Sequence, residues 1–373
     1  MAGRDRRSAY AQSGVDYASI DPTKLECQLA AIQTGGNLAS WLGIHELPGV
    51  RGESAYPLEF PGFILGHVEE TLGTRSLVAD LAWEQVGLKG YRSVAWSTIA
   101  TIVNDLITIG ALPMTIAMHW AVGDDGWFND VARRRAIIAG WKDACDFCEA
   151  IWCGGETPTL KDIILSGAYM LNGSATGIIM PKRFFIQPGN IRVGDRIILL
   201  ASSGIHDNGL TLMRRVIATK HPQGYSAQLS DGRTFGEALL DPTVIYVPVM
   251  RALQQAGVKV HYAIHITGHG WRKVMRAPQP FTYHIETVPE LLPIYQFILE
   301  QTGMSEEEAF GTFNMGAGFA LIISPRNAKR VIALAAACGI KAWDAGCVLK
   351  GRKQVVIQPK GIVLPGKSLK VRN

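Results

Sequence analysis

The feature that most constrains the fold is an alternation of strand-like and helix-like segments along the whole chain. Short runs rich in β-branched and aromatic residues, such as 258–266, are separated by longer apolar or amphipathic runs, such as 129–149. This order is typical of α/β proteins, in which helices cover a sheet. At 373 residues the chain exceeds one ordinary domain, and residues 184–189 (FFIQPG) have the composition of a linker. We therefore predict two α/β domains, spanning residues 1–187 and 188–373.

The individual elements follow from the same patterns. We expect strands over residues 76–81, 114–120, 163–171, 175–180, 195–201, 258–266, 319–323 and 353–357, and helices over 95–109, 129–149, 210–219, 243–255 and 328–338. The strands at 163–171 and 175–180 flank Asn172-Gly173, a dipeptide that favours a tight turn. We expect these two strands to form a hairpin.

Composition excludes several classes of protein. Hydrophobic residues at 47% and charged residues at 18% are typical of a folded, soluble protein. Residues 106–123 lack charge, but Gly110 and Pro113 interrupt them, which favours a buried helix end and strand over a membrane span. Residues 1–14 lack the apolar core of a secretory signal. The cysteines, including the isolated Cys145-x2-Cys148, indicate buried thiols rather than disulfides or a metal site, and hence the cytoplasm.

The charge pattern gives little support to a nucleic-acid partner. The net charge of +5 is mild, and by itself fits either an enzyme for anionic small molecules or a weak nucleic-acid binder. Basic residues between 350 and 372 alternate with Val and Ile. This alternation favours a solvent-exposed edge strand over a nucleic-acid surface.

The stretch Val260-HYAIHITGHG-Trp271 places histidines at every fourth position, His261, His265 and His269. On a helix this spacing would align three zinc ligands. The surrounding Val, Tyr, Ile and Thr residues are strand formers instead. We favour a strand that ends in a glycine turn, whose backbone N–H groups bind phosphate oxygens. A three-histidine zinc site is the alternative.

Two further glycine-rich connections resemble ligand loops. The segment Ser202-Ser203-Gly204-Ile205-His206-Asp207-Asn208-Gly209 links a predicted strand to a predicted helix, an arrangement that suits an anion. An ordinary connection capped by Asn208 explains it equally well. The segment 311–320 (GTFNMGAGFA) leads directly into a strand, for which a β-bulge is the simpler explanation.

Three carboxylates, Glu70, Asp105 and Glu156, lie close to glycines or helix starts, or inside a helix. Asp105 lies in an otherwise apolar helix, where a carboxylate is costly unless it is paired or bound to metal. Mg²⁺ takes a few carboxylates together with phosphate oxygens and water. The three side chains would suit Mg²⁺ if the fold brings them together, and helix capping or salt bridges are the alternative for each.

A series of motifs, taken in chain order, resembles the phosphoribosylformylglycinamidine cyclo-ligase family, also called AIR synthetase, of purine biosynthesis. The motifs lie at residues 10–16 (YAQSGVD), 73–74 (GT), 103–106 (VNDL), 110–113 (GALP), 154–157 (GGET), 194–195 (GD), 202–209 (SSGIHDNG), 240–247 (LDPTVIYV), 265–268 (HITG) and 312–318 (TFNMGAG). They span nearly the whole chain.

The resemblance implies a two-domain AIR-synthetase-like α/β (α+β) fold, in which N-terminal domains pair through a β-barrel to form a homodimer. It also implies ATP and Mg²⁺ as cofactors and a small phosphorylated substrate. From the charge pattern and the interrupted apolar stretch we expect no nucleic-acid or membrane partner. The implied reaction is ATP-dependent ring closure. The substrate's amide oxygen takes the γ-phosphate, and a substrate nitrogen then displaces phosphate.

The resemblance also implies roles for individual residues. Glu70, Asp105 and Glu156 would hold Mg²⁺. The expected ATP contacts are Gly73, Thr74, Arg75, Asn104, Asp105, Gly154, Gly155 and Thr157, with Arg75 facing phosphate. The expected catalytic or substrate-binding residues are His206, Asn208 and His265, with Thr267-Gly268 lining the same side.

The chain departs from the family pattern at several positions. Arg75 stands where the family has Lys, His269 alters the glycine pair, Val274-Met275-Arg276-Ala277 stands in place of Asn-Ile-Pro-Arg, and Gly311 replaces an Arg. Several of the lost groups are basic or polar ones that would contact the substrate's phosphate. Two alternatives therefore stay open. One is an ATP-dependent phosphoryl-transfer enzyme of the same superfamily with another small substrate, and the other is a non-catalytic nucleotide-binding paralogue.

Overall fold

The computed structural model describes residues 17–369, and its strands form two sheets. The motif at residues 10–16, the absence of a secretory signal, and the basic residues Lys370 and Arg372 are predictions that lie outside the described residues. The first sheet has the order β1-β2-β3-β6-β4-β5. Its strands are β1 His45–Glu46, β2 Tyr56–Glu59, β3 Ile64–Leu72, β4 Leu112–Val122, β5 Ile151–Glu156 and β6 Tyr169–Ile179.

The second sheet has the order β13-β12-β9-β11-β7-β10-β8. Its strands are β7 Arg196–Ala201, β8 Val260–His265, β9 Phe281–Ile285, β10 Ala317–Ile323, β11 Ala342–Lys350, β12 Gln354–Ile357 and β13 Ile362–Pro365. All its pairings are antiparallel except that of β12 with β9. The basic C-terminal segment supplies the edge strand β13, as its alternating pattern predicted.

Helices cover both sheets. They are α1 Tyr17–Gln33, α2 Thr74–Val86, α3 Tyr91–Leu106, α4 Val131–Cys148, α5 Leu210–Leu212 with the π-helical turn Met213–Ala218, α6 Phe235–Leu239, α7 Val247–Gln255, α8 Pro293–Thr302, α9 Glu306–Phe310 and α10 Ala328–Ala337. Within residues 17–369, no helix has the length and apolar character needed to cross a lipid bilayer. The division of the chain at residue 187 stays a prediction.

Two sequence-based assignments were wrong for tertiary reasons. Residues 76–81, expected as a strand, lie in helix α2, where Val78, Ala79 and Ala82 form one buried face at helical spacing. The expected hairpin at Asn172-Gly173 is the single continuous strand β6. Gly173 is needed there for close packing, since a Cβ atom would lie 2.5 Å from the Ala117 carbonyl oxygen and 3.0 Å from the Trp141 ring.

Helix α3 occupies the centre of the molecule. Thirteen of its sixteen residues are buried, because it packs on β3, β6 and α4 and also reaches β8 of the second sheet. A helix enclosed on all sides is apolar all round, so the polar residues that it does contain need partners. Those partners lie in the second half of the chain, and they position the site described next.

Candidate active site

A cavity of about 440 Å³ lies between the two sheets. Its walls come from β3, the C-terminal end of α3, the turn after β8, helix α1 and the loop at residues 52–54. The lining side chains include Glu70, Asp105, Asn208, Thr267, Lys273, Arg276 and Lys24. Segments far apart in sequence therefore meet around one charged hollow.

Glu70 and Asp105 form a carboxylate pair on one wall. The even-numbered residues of β3 face inward, so Glu70 shares the inner face with Val68 while Glu69 is exposed. Burial, and next the charge of Asp105, raise the pKa of Glu70 to about 8. Two carboxyl groups this close favour a shared proton or a bound cation.

His265 holds Asp105 in place. Its Nδ1 lies 2.7 Å from Asp105 Oδ1, and both side chains are buried. Burial disfavours the Asp105 carboxylate, but the hydrogen bond from His265 and the nearby positive charges outweigh it, so the pKa of Asp105 is lowered. Asp105 is therefore the ionised member of the pair, and His265 sets its orientation.

Two cationic side chains face the carboxylates from the turn after β8. Lys273 Nζ donates to Thr267 Oγ1 at 2.5 Å, and burial lowers the pKa of Lys273 to about 8. Arg276 donates to the Gly52 carbonyl oxygen at 2.6 Å and to Ser54 Oγ at 2.8 Å. Both cations are thus fixed by neighbouring oxygens at the cavity wall.

Comparison with known proteins identifies the fold family. A model of the AIR synthase related protein matches its N-terminal domain to residues 70–179 and its C-terminal domain to residues 192–358. A phosphoribosylformylglycinamidine cyclo-ligase from Methanococcus maripaludis is 34% identical over 298 residues, which cover 80% of this chain and 81% of that protein. One from Rippkaea orientalis is 30% identical over 328 residues, with coverages of 87% and 90%. The chain belongs to the AIR synthetase family.

Solved structures with lower sequence identity share the fold. The hydrogenase maturation protein HypE from E. coli has a TM-score of 0.56 at 16% identity, covering 81% of this chain and 85% of that chain. The structure of AaThiL complexed with AMPPCP and TMP has a TM-score of 0.58 at 17% identity, with coverages of 90% and 95%. At these identities the likeness concerns the AIR-synthetase-like architecture alone.

The third carboxylate expected for an AIR synthetase metal site lies elsewhere. Glu156 ends the edge strand β5 and lines a separate open hollow with Gly154, Gly155 and Thr157. Register places Thr71, Asn172, His119 and Glu156 in a row across four strands. At about 4.8 Å per strand, Glu156 is roughly 14 Å from the end of β3. The three carboxylates therefore do not meet in the chain that the structure describes.

Arg75 and Asn104, expected at ATP, are internal ties between the two halves of the AIR synthetase fold. Arg75 is 1% exposed and forms an ion pair with Asp207. Asn104 is fully buried, donates to the Val244 carbonyl oxygen at 2.7 Å and accepts from the Tyr246 N–H at 2.9 Å. Neither side chain lines the cavity, because both contact the motif at residues 240–247 instead.

Gly73 and Thr74 lie at the start of α2, outside the lining of the cavity. Thr74 Oγ1 lies 3.1 Å from Thr211 Oγ1 in the other half of the molecule. A Cβ atom at Gly73 would meet nothing within 4 Å, so the space beside this glycine is open. The start of α2 thus contacts the second half of the chain at Thr74 and has open space beside Gly73.

Of the residues expected to act on substrate, His265 and Asn208 reach the cavity wall or its carboxylate, and His206 does not. His206 is buried, with its Nε2 accepting from the Ser203 N–H at 3.3 Å. Burial, followed by the charges of His265 and Arg75, holds the pKa of His206 well below its usual range. The neutral, buried imidazole of His206 therefore packs inside the loop at residues 202–209 and stabilises its conformation.

The histidines at 261, 265 and 269 do not share a face of a helix. His261 and His265 lie on β8, and His269 lies in the turn with a φ of 68°. His261 Nδ1 contacts Asp195 Oδ2 at 2.7 Å, away from the cavity. Among residues 17–369, no group of three or more His, Cys, Asp and Glu side chains is arranged for a metal ion. The strand-and-turn interpretation is confirmed, and the zinc alternative is not supported.

Lys24, Lys273 and Arg276 were missed as site residues. The signal for two of them was the basic run Arg272-Lys273 and Arg276 directly after the glycine turn, whereas Lys24 gave none. Arg272 also lies next to Gly311, the position at which the resemblance led us to expect an arginine. A Cβ atom at Gly311 would lie 2.5 Å from the guanidinium of Arg272, which donates to the Gly311 carbonyl oxygen. A guanidinium thus stands beside the position of the expected arginine.

Proposed function

We propose that this protein catalyses the ATP-dependent ring closure of formylglycinamidine ribonucleotide to aminoimidazole ribotide. The observation that carries the proposal is the cavity in which Glu70 and Asp105 face Lys273 and Arg276. Phosphoryl transfer requires carboxylates that hold a divalent cation and positively charged side chains that bind phosphate groups. This cavity places the two kinds of side chain opposite each other. Curated relatives at 30–35% identity carry the name of this cyclo-ligase, which supports the same reaction here.

Mg²⁺ fits the carboxylate pair. Burial, and next the charge of Asp105, raise the pKa of Glu70, so a bound cation would favour the ionised pair. Mg²⁺ is usually held by one or two carboxylates with phosphates and water. Glu70 and Asp105 would be its protein ligands. When bound, the ion would neutralise charge on the transferring phosphoryl group. Glu156 is left out of this set, because it lines a different hollow.

The chain's own residues would act on the two substrates as follows. Lys273 would stabilise the negative charge that develops on the phosphoryl oxygens as the substrate's amide oxygen attacks the γ-phosphate of ATP and ADP leaves. Asn208 would orient the amide. A substrate nitrogen would then attack the activated carbon and lose its proton, and inorganic phosphate would leave as the ring closes. His265 keeps Asp105 ionised and oriented throughout.

ATP would enter from the side of the open space at Gly73. AaThiL, solved in complex with AMPPCP, shares the fold, which supports nucleotide use by this architecture. The expected contacts at Gly73 and Thr74 therefore stay part of the proposal, whereas the buried Arg75 and Asn104 support the site only indirectly. The hollow at residues 154–157 is proposed to take part only if a second copy of the chain closes it.

We also propose a homodimer formed through the first sheet. Along β6 buried residues alternate with partly exposed ones, because helices cover one face and leave the other open. The open face carries a polar row in which Asn172 Nδ2 lies 3.1 Å from His119 Nδ1. Pairing two such faces would give the β-barrel expected for this family. Light scattering coupled to size exclusion would give twice the 40.6 kDa chain mass.

A second candidate is phosphoryl transfer to a different small substrate. It is favoured by the turn after β8, where Val274-Met275-Arg276-Ala277 stands in place of the Asn-Ile-Pro-Arg that the family resemblance leads us to expect.

The test is to incubate the purified chain with ATP, Mg²⁺ and formylglycinamidine ribonucleotide, with Asp105→Asn as the inactive control. Formation of ADP and aminoimidazole ribotide in equal amounts supports the first function. ADP formation only with other acceptors would support the second. Nucleotide binding with no turnover on any acceptor would contradict both and favour the non-catalytic paralogue.

A further inference from the structure

A hollow of about 240 Å³ lies where helices α2, α3 and α4 meet. We call it the α2–α4 hollow, and its walls include Trp83, Lys89, Tyr91, Arg92, Arg133 and Ala136. None of its lining residues lines the cavity that holds Glu70 and Asp105. Tyr91 begins α3 and Asp105 lies near its end, so the hollow and the cavity are at opposite ends of this helix, roughly 21 Å apart along its axis.

Small residues on α4 leave this space open. Ala136 and Gly140 are four residues apart and therefore lie on one face of α4. At Gly140 the helices are in contact, since a Cβ atom there would lie 2.2 Å from the Arg92 carbonyl oxygen. One turn earlier the side chain of Ala136 is a single methyl group, and the hollow lies beside it. An apolar cavity of about 150 Å³ holds benzene, so the α2–α4 hollow has room for a small ring system.

Two aromatic side chains contribute to the walls. Trp83 is 38% exposed, although its side chain is large and apolar. Tyr91 is buried, and its hydroxyl group donates to Asp80 at 3.0 Å, so its polar end is already bound. A half-open tryptophan beside an unfilled hollow offers a surface on which a flat ligand can stack.

Most charged groups of the hollow are engaged within the protein. Arg92 pairs with Asp143 at 2.5 Å, and Arg133 lies 3.6 Å from Asp80. Asp130, a carboxylate in the lining, caps α4 by accepting from the Arg133 backbone N–H at 3.0 Å. These groups therefore contribute little free charge to a ligand.

Lys89 is the exception. Its Nζ lies 5.5 Å from the centre of the Trp83 ring, a cation–π contact. Among residues 17–369, no carboxylate lies within the ion-pair distance of 4.0 Å from Lys89. A positive charge without a counterion thus stands beside an exposed aromatic surface. This combination complements a ligand that has a flat ring and one negative group.

We propose that the α2–α4 hollow binds a small aromatic carboxylate, whose ring stacks on Trp83 and whose carboxylate pairs with Lys89. A neutral aromatic ligand would leave Lys89 without a counterion, and a cationic one would be repelled by it. The inference goes beyond the proposed function and does not depend on it, because the residues proposed to act in ring closure lie in the other cavity.

The test is calorimetric titration of the full chain with 2-naphthoate. The controls are the neutral 2-naphthalenemethanol, the cationic 2-naphthylmethylammonium and the non-aromatic cyclohexanecarboxylate. For a ligand of this size we expect a Kd of about 1 mM or tighter for 2-naphthoate. Each control should bind at least roughly tenfold more weakly, because it lacks either the charge-assisted contact or the stacking ring.

Variants locate the site. Trp83→Ala and Lys89→Met should each weaken binding of 2-naphthoate about tenfold, and both side chains are exposed, so both variants should fold. Ala136→Phe places a ring in the hollow and should abolish binding. The matched control is Lys341→Met, because Lys341 lies 5.2 Å from the centre of the Trp343 ring and neither residue lines the hollow. Its affinity for 2-naphthoate should equal that of the wild type.

Equal affinity of the wild type, Trp83→Ala and Lys89→Met for 2-naphthoate would overturn the proposal, as would no binding at low-millimolar concentration. Binding of the alcohol or the ammonium compound as tightly as the carboxylate would also overturn it, since Lys89 would then not select the ligand. Formation of ADP and aminoimidazole ribotide tests the proposed function separately, so the two failures are distinguishable.

Discussion

Arg75, in the first half of the chain, and Asp207, in the second, form an ion pair with side-chain exposures of only 1% and 3%. Asp207 also accepts hydrogen bonds from Thr101 at 3.2 Å and Thr243 at 2.7 Å. Arg75 reaches the backbone carbonyl oxygens of His206 and Asp241 as well. The arginine expected to meet phosphate instead fastens the two halves of the molecule and holds the loop that carries Asn208.

Replacement of Arg75 should therefore lower the free energy of unfolding and should not remove a contact to nucleotide. Arg75→Met leaves the Asp207 carboxylate buried without its cation, which costs about 3–5 kcal/mol. Urea denaturation followed by fluorescence should show a clearly lower midpoint. Arg92→Met is the matched control, because its pair with Asp143 is exposed and is worth about 0–1 kcal/mol. An unchanged midpoint for Arg75→Met would contradict the tie between the halves.

Glu70 and Glu69 offer a test of the carboxylate pair within one strand. Glu70→Gln should weaken Mg²⁺ activation of ATP turnover by roughly 100-fold, the upper range for loss of a group that supports a metal site. Glu69→Gln, on the exposed face, should behave like the wild type. The measurement is the Mg²⁺ concentration needed for half-maximal ADP release. Equal behaviour of the two variants would exclude Glu70 from the site.

His265 and His261 form a second matched pair. Both lie on β8, and each contacts an aspartate at 2.7 Å, but only the partner of His265 faces the cavity. His265→Gln should lower kcat by roughly 10–100-fold through loss of Asp105 orientation, and His261→Gln should affect thermal stability alone. Because His265 is a positioning residue, its variant should also shift the pH profile of kcat. Similar losses of activity in both variants would indicate a general effect on folding.

Asp80, which does not line the cavity, should make the free energy of unfolding depend on pH. Burial, against the opposing hydrogen bond from Tyr91, raises the pKa of Asp80 from 3.8 to about 6. A carboxyl group whose pKa is higher in the folded state than in the unfolded state binds its proton more tightly when the protein is folded. Its contribution to the free energy of unfolding is therefore fully present below pH 3.8 and is lost as pH rises through 6.

The change is measured against a variant that cannot ionise. Across this window the wild type should lose about 3 kcal/mol of unfolding free energy relative to Asp80→Asn. Denaturant titrations at intervals between about pH 4 and pH 7 measure it. Parallel curves for the two proteins throughout would show that Asp80 keeps an ordinary pKa.

The sequence by itself determined much of the local structure. The helix at α4, the strands β4 and β10 and the glycine turn after β8 follow from periodicity and strand-forming residues, which act over a few neighbours. Asp105 stood out for the same reason, as a carboxylate in an apolar helix. The family motifs added the architecture, since their order covers nearly the whole chain.

Only the tertiary structure decided which polar groups share a space. Asn104 and Asp105 are adjacent in sequence, yet one ties α3 to the second half of the chain and the other lines the cavity. Glu156 is separated from Glu70 by the strand order of the sheet, while Lys24 joins Lys273 through the packing of α1. The sequence shows the chemical type of each polar side chain. Its partners depend on contacts between distant segments, and those contacts are determined by the order of the strands and by which surfaces are buried.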